Sequence, residues 1–371
     1  MKHVQEYRDP AAAAALAKSI ARRVEQATAA RPAGQPITLM EVCGTHTVAI
    51  FRHGIRQLLP EGVRLLSGPG CPVCVTPNEE IDQAIALAEV PGVILTTFGD
   101  MLRVPGSRSS LQQARAAGAD VRIVYSPLDA VRLAQATPDR QVIFLAVGFE
   151  TTSPAVAGAL VEAKRLGVTN FSAFSAHKVV PPALKVLLES RETRIDGFLC
   201  PGHVSAIIGA APYEFVAREY GVPCVIAGFE PLDILQAIDA LVAQIEAGLA
   251  RVENQYRRAV RWDGNPAARR TLAEVFEPRD AGWRGIGVIP LSGLKLRPEY
   301  GELDAARRFP VETPPAHEPV GCLCGAVLRG VKEPPDCKLF GKGCTPEHPV
   351  GPCMVSTEGT CAAWYQYSGL V

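Results

Sequence analysis

Four potential metal ligands or redox groups lie close together before residue 75 of the chain. Cys71 and Cys74 have the Cys-x-x-Cys spacing of thiol–disulfide redox motifs, in which one thiolate attacks and the other resolves. The same spacing is half of a zinc site, and Cys43 and His46 are also three residues apart. The four could form a closed Cys₃His zinc site. The alternative is an open iron site, with Cys43 as a soft thiolate ligand, His46 nearby and Cys71/Cys74 delivering electrons.

A second group of cysteines occupies the C-terminal part, where six of the eleven lie within about 40 residues. They are Cys322, Cys324, Cys337, Cys344, Cys353 and Cys361. Their spacing matches neither a zinc ribbon nor a ferredoxin run, and the wide gaps suit a [4Fe–4S] cluster wrapped by loops, with a structural zinc as the alternative. We expect Cys337, Cys344 and Cys361 to be ligands, with Cys353 or Cys324 as the fourth. Cys322 is the weakest candidate for a cluster ligand.

Four further polar residues follow short apolar segments. Glu150 stands in Gly-Phe-Glu-Thr-Thr, His177 and Lys178 in Ser-Ala-His-Lys, and His203 in Pro-Gly-His-Val. Ligands bind at the carboxyl ends of strands in α/β sheets, so we predict a common cleft there. Each has a structural alternative. Either histidine could be a hydrogen-bonded structural residue, Glu150 could cap the following helix, and Lys178 could bind an anion or face solvent.

The elements that must position these residues alternate along the chain. Short runs rich in β-branched residues predict buried strands at Ile37–Val42, Val63–Ser67, Val93–Thr97, Val121–Tyr125, Val142–Val147, Phe171–Phe174, Gly197–Cys200 and Val222–Ala227. Helices are predicted between most of them, at Glu79–Glu89, Ser109–Ala117, Pro154–Leu166, Pro181–Glu189, Ser205–Tyr220 and Pro231–Gly248. This alternation predicts an α/β fold. Two doubly wound parallel-sheet, Rossmann-like domains fit the length better than one large sheet.

The predicted organisation has four parts, namely an N-terminal helix (1–35), α/β domain I (36–135), α/β domain II (136–250), and an extended segment with a Cys-rich iron–sulfur module (251–371). These bounds assume that the chain does not cross between the two α/β units more than once. The last module has too few apolar residues for a core of its own, which is typical of metal-stabilised modules. Residues 251–270 contain six arginines and predict a solvated helix face or a partner-docking surface.

Composition excludes several functions. Lys plus Arg and Asp plus Glu both number 38, so no bulk charge favours nucleic acid or an anionic membrane. No apolar stretch is long enough to span a bilayer. Phosphate-loop and dinucleotide-binding fingerprints are absent. Eleven cysteines without a visible secretory signal indicate reduced thiols in the cytoplasm.

The motifs together resemble the [NiFe]-hydrogenase maturation factor HypD family along essentially the whole chain. The matching segments are Met40-Glu-Val-Cys-Gly-Thr-His46, Gly68-Pro-Gly-Cys-Pro-Val-Cys74, Gly148-Phe-Glu-Thr-Thr152, Ser175-Ala-His-Lys178, Pro201-Gly-His-Val204 and the tail from Cys337 to Cys361. These motifs are long and chemically unusual. The resemblance implies two α/β domains and a cluster module, in agreement with the alternation of elements.

The resemblance also implies a function. Such a protein is a scaffold on which an Fe(CN)₂(CO) unit is built for a hydrogenase large subunit, in complex with a small HypC-type chaperone and with cyanide from a HypE-type donor. Cys43 would ligate the iron together with a cysteine of HypC, and His46 would support that site. Cys71 and Cys74 would be the redox pair, and the tail cysteines would hold a [4Fe–4S] cluster.

The residues after the other strands enter this scheme as our hypothesis. Glu150, His177, Lys178 and His203 could hydrogen-bond cyanide nitrogens or handle protons in the cleft. Two other functions stay open, a cluster-driven thiol–disulfide oxidoreductase that would not need Cys43, and a zinc-stabilised binding module. In the favoured interpretation the chain is a maturation scaffold with redox chemistry, and whether to class it as an enzyme is open.

Overall fold

Nine parallel strands form two separate sheets in a computed structural model that describes residues 5–29, 31–32 and 34–369. In chain order the strands are β1 (Ile37–Glu41), β2 (Val63–Ser67), β3 (Val93–Thr97), β4 (Val121–Ile123), β5 (Gln141–Ala146), β6 (Phe171–Ser175), β7 (Gly197–Pro201), β8 (Cys224–Ala227) and β9 (Val252–Asn254). The first sheet has the order β2-β1-β7-β8-β9 and the second the order β4-β3-β5-β6. All neighbouring strands in both sheets are parallel.

Helices cover the sheets. They are α1 (Pro10–Ala29), α2 (Gly44–Arg52), α3 (Ile55–Leu58), α4 (Pro72–Val75), α5 (Asn78–Ala88), α6 (Leu111–Ala116), α7 (Pro127–Ala136), α8 (Ser153–Arg165), α9 (Val180–Ser190), α10 (Gly202–Ile208), α11 (Glu214–Tyr220), α12 (Pro231–Glu246), α13 (Pro266–Val275), α14 (Ala305–Arg308), α15 (Cys324–Leu328), α16 (Pro352–Val355) and α17 (Thr360–Tyr367). Within the described residues, none of them is long and apolar enough to cross a membrane.

The predicted fold class is confirmed. Strands β1, β3, β6, β7 and β8 are buried along their whole length, because parallel strands covered on both faces have no solvent-facing side. All eight predicted strands are present with ends shifted by at most two residues. Cys200 and Cys224 are completely buried in neighbouring strands, as expected for packing residues.

One predicted helix is wrong. The segment Ser205–Tyr220 is not a single helix, because α10 ends at Ile208 and a short 3₁₀ turn precedes α11. The break lies at Gly209, whose φ of 90° is unfavourable for residues with a side chain, and a Cβ there would overlap the backbone at Trp262. Close backbone packing decides this break, and the apolar pattern does not reveal it.

The chain crosses between the two sheets twice. After β1 and β2 it builds all four strands of the second sheet, and then returns to add β7, β8 and β9 to the first. The boundary predicted near residue 135 separates β3 and β4 from β5, although they share a sheet. The predicted N-terminal helix is present as α1, while residues 1–4, 30 and 33 of its range lie outside the described residues.

The region after residue 250 contains elements that the pattern did not predict. Beyond β9 and α13, an antiparallel hairpin is formed by β10 (Phe276–Trp283) and β11 (Gly287–Leu296). The cysteine-rich tail consists of the short helices α15, α16 and α17 joined by loops. Helix α17 packs on α2, and α16 packs on α4. The tail therefore lies against the segments that carry Cys43 and Cys74.

Candidate functional site

Cys43 is a buried thiol at the junction of β1 and α2, where it is the N-cap residue of α2. Its backbone N–H donates to Glu41 Oε2 at 3.0 Å. Burial, with smaller contributions from the negative charges of Glu358 and Glu41, raises the pKa of the Cys43 thiol to about 12. The thiol therefore keeps its proton at neutral pH unless a cation such as a metal ion stabilises the thiolate.

Cys71 and Cys74 form a disulfide across the first turn of α4. Gly70, the residue before Cys71, packs closely on Cys43. A Cβ on Gly70 would overlap the backbone nitrogen of Cys43, so only glycine allows this approach. The Gly44 N–H also donates to the Gly70 carbonyl at 2.9 Å. Cysteines joined to each other are not available as zinc ligands, so the disulfide state disfavours the Cys₃His zinc site.

His46 is fully buried on α2 and directed to the first sheet. Its Nε2 lies 2.9 Å from the carbonyl oxygen of Gly228, whereas Nδ1 has no hydrogen-bond partner in the described residues. Burial lowers the pKa of His46 to about 4, so the ring is neutral at pH 7. The ring of Phe229 lies between those of His46 and His203. Its centroid is 4.8 Å from that of His46 and 4.0 Å from that of His203. The structure therefore brings His203 to this site.

Glu358 closes the site from the C-terminal tail. The Thr45 hydroxyl donates to Glu358 Oε1 at 2.7 Å, and a Cβ on Gly44 would lie 2.6 Å from the Glu358 Cβ. Burial lowers the pKa of His203, and the negative charge of Glu358 partly offsets this shift. Sequence reasoning did not assign a role to this residue, although it lies within the Ser-Thr-Glu-Gly-Thr motif of the tail.

All six tail cysteines line one small cavity. Among residues 5–29, 31–32 and 34–369, however, no three or more His, Cys, Asp or Glu side chains converge closely enough for one metal ion. Zinc needs four ligands within about 2.3 Å. A multi-iron cluster binds its thiolates on separate irons, so its ligands need not converge on one point. The donor set therefore fits a [4Fe–4S] cluster better than a structural zinc.

Two of these cysteines are paired with each other. The sulfurs of Cys324 and Cys353 lie 2.8 Å apart, and both residues are buried. Thiolates on different corners of a cluster cannot be in mutual contact, so this pair is poorly placed to supply two ligands. Cys353 also makes a side-chain hydrogen bond with Cys361. Because both contacts involve Cys353, the geometry disfavours Cys353 and leaves Cys322, the weakest candidate from spacing, and Cys324 as candidates for the fourth position beside Cys337, Cys344 and Cys361.

The three cysteine groups form one continuous region. Cys71, Cys74, Cys324 and Cys353 belong to the same buried cluster, with Cys361 packed against it. The contact is made by α16, which carries Cys353, and α4, which carries Cys74. The cavity and the disulfide therefore share one buried cluster, and the backbone of Gly70, next to the disulfide, packs on the backbone of Cys43.

Glu150, His177 and Lys178 have structural partners. Glu150 accepts the Val180 N–H at 3.0 Å and so caps α9, not the helix that follows it in sequence. Burial raises its pKa to about 7. The Nδ1 of His177 contacts Ser175 Oγ at 3.1 Å, and burial lowers the pKa of His177 to about 3. Lys178 Nζ lies 2.7 Å from both carboxylate oxygens of Glu80.

The Lys178–Glu80 pair yields a stability prediction. Replacing Lys178 by Met should lower the free energy of unfolding by about 3–5 kcal/mol, because it leaves a buried carboxylate with only a weaker contact to Arg279 at 3.5 Å. Denaturant unfolding measures the loss. Lys185→Met is the matched control, because its pair with Glu189 is half exposed and should contribute less than about 1 kcal/mol. Equal losses would contradict the structural role of Lys178.

Fold and site together define a class of protein. It is a two-sheet α/β protein in which a buried cysteine, a Cys-x-x-Cys disulfide and a cysteine-lined cavity lie side by side. This arrangement suits thiol redox chemistry next to a metal.

Comparison with known proteins identifies the family. The family model "HypD: Hydrogenase formation hypA family" matches residues 13–368. Hydrogenase maturation factor HypD of Rhizobium leguminosarum bv. viciae is 52% identical over 375 residues, which cover 99% of this chain and 96% of that protein. The HypD proteins of Azotobacter vinelandii (52%, with 99% and 97% covered) and Escherichia coli K12 (48%, with 99% and 98% covered) are similar to the same extent. The chain belongs to the HypD family.

Proposed function

We propose that this hydrogenase maturation factor is the scaffold and redox protein on which the Fe(CN)₂(CO) unit of a [NiFe]-hydrogenase is assembled. In this proposal Cys43 holds the iron together with a cysteine of a HypC-type chaperone, and a HypE-type protein donates cyanide. The finished unit passes to the hydrogenase large subunit. Nine of the cysteines are free thiols that form no disulfide, which suits a reducing compartment, and we propose the cytoplasm.

The observation that carries the proposal is that the three segments bearing these cysteines pack on one another. Gly70, next to the disulfide, packs on the backbone of Cys43. On its other side the disulfide segment packs on α16, which carries a cysteine of the cavity wall. A freestanding zinc module would have no use for a buried thiol next to a disulfide. Family membership points to hydrogenase maturation independently of this geometry.

Around Cys43, the chain's own groups set the conditions for iron binding. The thiol loses its proton when it binds the metal, because the cation offsets the burial and the nearby carboxylates that raise its pKa. His46 presents an unprotonated Nδ1 that can accept a hydrogen bond. His203 is exposed and stacked on Phe229, where it can donate to a cyanide nitrogen. The buried partners of Glu150 and Lys178 account for those two residues without such a role, whereas Nε2 of His177 has no hydrogen-bond partner within the described residues.

The redox part of the proposal uses the remaining thiols. The Cys71–Cys74 disulfide takes up two electrons and two protons to give two thiols, and the dithiol returns them when it reduces a neighbouring group. Cys324 and Cys353 form a second thiol pair in the wall of the cavity, within the buried cluster that also holds this disulfide. We propose Cys322, Cys337, Cys344 and Cys361 as ligands of a [4Fe–4S] cluster. When bound, such a cluster supplies electrons one at a time.

Infrared spectroscopy on anaerobically purified protein, co-expressed with its HypC-type partner, tests the proposal together with iron and zinc assays. We expect CO and cyanide stretching bands and more iron than one four-iron cluster accounts for. If the protein with its partner bound contained iron for only one cluster and showed no such bands, the thiol–disulfide oxidoreductase would be favoured. The Cys71–Cys74 disulfide is the observation that supports this second function. Zinc in place of iron would overturn both.

A further inference from the structure

The carbonyl group that holds His46 is itself fixed by a buried carboxylate. Gly228 lies directly after β8, and a Cβ at this position would overlap the Asp233 carboxylate. Asp233 is completely buried near the start of α12, where its Oδ2 accepts the Glu230 N–H at 3.2 Å. The turn between β8 and α12 is therefore packed on Asp233, and the position of the Gly228 carbonyl follows from that packing.

Asp233 is in turn held by Arg258. The two guanidinium nitrogens of Arg258 lie 2.7 Å and 2.5 Å from the two carboxylate oxygens, a bidentate ion pair. The guanidinium lies between the rings of Tyr7 and Tyr256, at 4.0 Å and 4.6 Å from their centroids. Tyr256 also contacts Phe229, the ring between His46 and His203.

The N-terminal segment closes this arrangement from outside. Tyr7 belongs to the short 3₁₀ helix Gln5–Arg8, and the next residue, Arg8, forms an ion pair with Glu230 at the start of α12. The segment is thus anchored at two points over the turn that carries Gly228. Planar cations between two aromatic rings are favourable when partly desolvated, so Tyr7 supports the geometry of Arg258.

The consequence for His46 follows from hydrogen-bond chemistry. A carbonyl oxygen only accepts, so the Nε2 atom that faces Gly228 must carry the proton. In the neutral ring Nδ1 is then a bare acceptor, and no donor from the described residues reaches it in its buried position. An unsatisfied buried acceptor costs stability. The unsatisfied Nδ1 atom is explained if a hydrogen-bond donor enters the site during function.

We propose that Asp233 and Arg258 are positioning residues that hold His46 as its Nε2–H tautomer, with the Nδ1 lone pair presented to the Cys43 site. A metal-binding or hydrogen-bonding histidine is commonly oriented in this way by the partner of its other nitrogen. The inference rests on the proposed function, because the donor that Nδ1 meets would be the Cys43 thiol or a group brought with the iron. The tautomer itself does not depend on iron.

The test is ¹⁵N NMR of histidine-labelled full-length protein, with His46→Gln used to assign the signal. We expect wild type to show one His46 tautomer with a slowly exchanging Nε2 proton. In Asp233→Asn and Arg258→Lys the proton should exchange at least about tenfold faster and the second tautomer should appear, with a fall of about tenfold in hydrogenase maturation. Glu253→Gln is the control, because it weakens a more exposed ion pair on β9 with Arg251 and should leave the His46 signal unchanged.

Each result has a definite meaning. An unchanged tautomer and exchange rate in both variants would overturn the inference, even if maturation falls. If Asp233→Asn does not fold, Arg258→Lys decides, because it keeps the positive charge and loses the bidentate, stacked geometry. Missing CO and cyanide bands in wild type would overturn the proposed function and leave the tautomer result standing, so the two failures are distinguishable.

Discussion

Cys43→Ala is expected to lower hydrogenase maturation by more than about 100-fold while leaving the cysteine-lined cavity able to hold its cluster. The thiol is the proposed iron ligand at the start of α2, and the cavity is lined by other cysteines. Alanine keeps the backbone N–H that donates to Glu41, so the turn should fold. Complementation of a host that lacks its own HypD measures maturation. Visible absorbance and iron content of the purified variant measure the cluster.

Cys224→Ala is the matched control for this variant. Cys224 is also a buried thiol, but it lies at the amino end of β8, whereas Cys43 follows the carboxyl end of β1. It should lose some stability through the cavity left by the sulfur and retain maturation. If Cys43→Ala supported normal maturation, Cys43 would not be the iron ligand, and the thiol–disulfide oxidoreductase would become the better interpretation.

The second large effect is expected in the tail. Cys337→Ser should remove the cluster, with loss of visible absorbance and of nearly all iron, because one of four proposed thiolate ligands is lost. Cys353→Ser should instead keep the cluster and lose the ability to pass electrons to the Cys71–Cys74 disulfide. Thiol counting by alkylation and mass spectrometry after reduction of the protein distinguishes the two.

Cys322→Ser and Cys324→Ser complete this experiment as a matched pair. They are two residues apart and both line the cavity, and the second lies in contact with Cys353. We expect loss of the cluster only in Cys322→Ser. The opposite result, cluster loss in Cys324→Ser with Cys322→Ser unaffected, would restore the ligand set expected from the sequence spacing.

Much of the α/β framework was predictable because each strand is a short apolar run that parallel sheets bury on both faces. Val63–Ser67 and Val93–Thr97 were predicted with the bounds that the structure has. The hairpin of β10 and β11 was not, because its burial is irregular and the segment carries prolines and glycines. Local pattern therefore identifies elements whose environment is uniform, and misses those whose two faces meet different surroundings.

The candidate site shows the same division. Cys43, His46 and the Cys71–Cys74 pair were predictable because their types and spacing already specify thiol and metal chemistry. Glu358 was not predictable, because an acidic residue in a loop carries no sequence signal of its role. Only the packing of the tail on Gly44 and Thr45 shows that Glu358 belongs to the site.

The sequence by itself determined the chemistry available to this protein and the class of its fold, because side-chain types and hydrophobic periodicity are local properties. Only the tertiary structure decided which groups meet. It assigned Lys178 to Glu80 and not to a cleft and placed Cys324 against Cys353. It also placed β7, β8 and β9 beside β1 and β2, although all four strands of the second sheet lie between them in the sequence. Such contacts arise from packing between segments up to about 300 residues apart, and no local pattern in the chain encodes that packing.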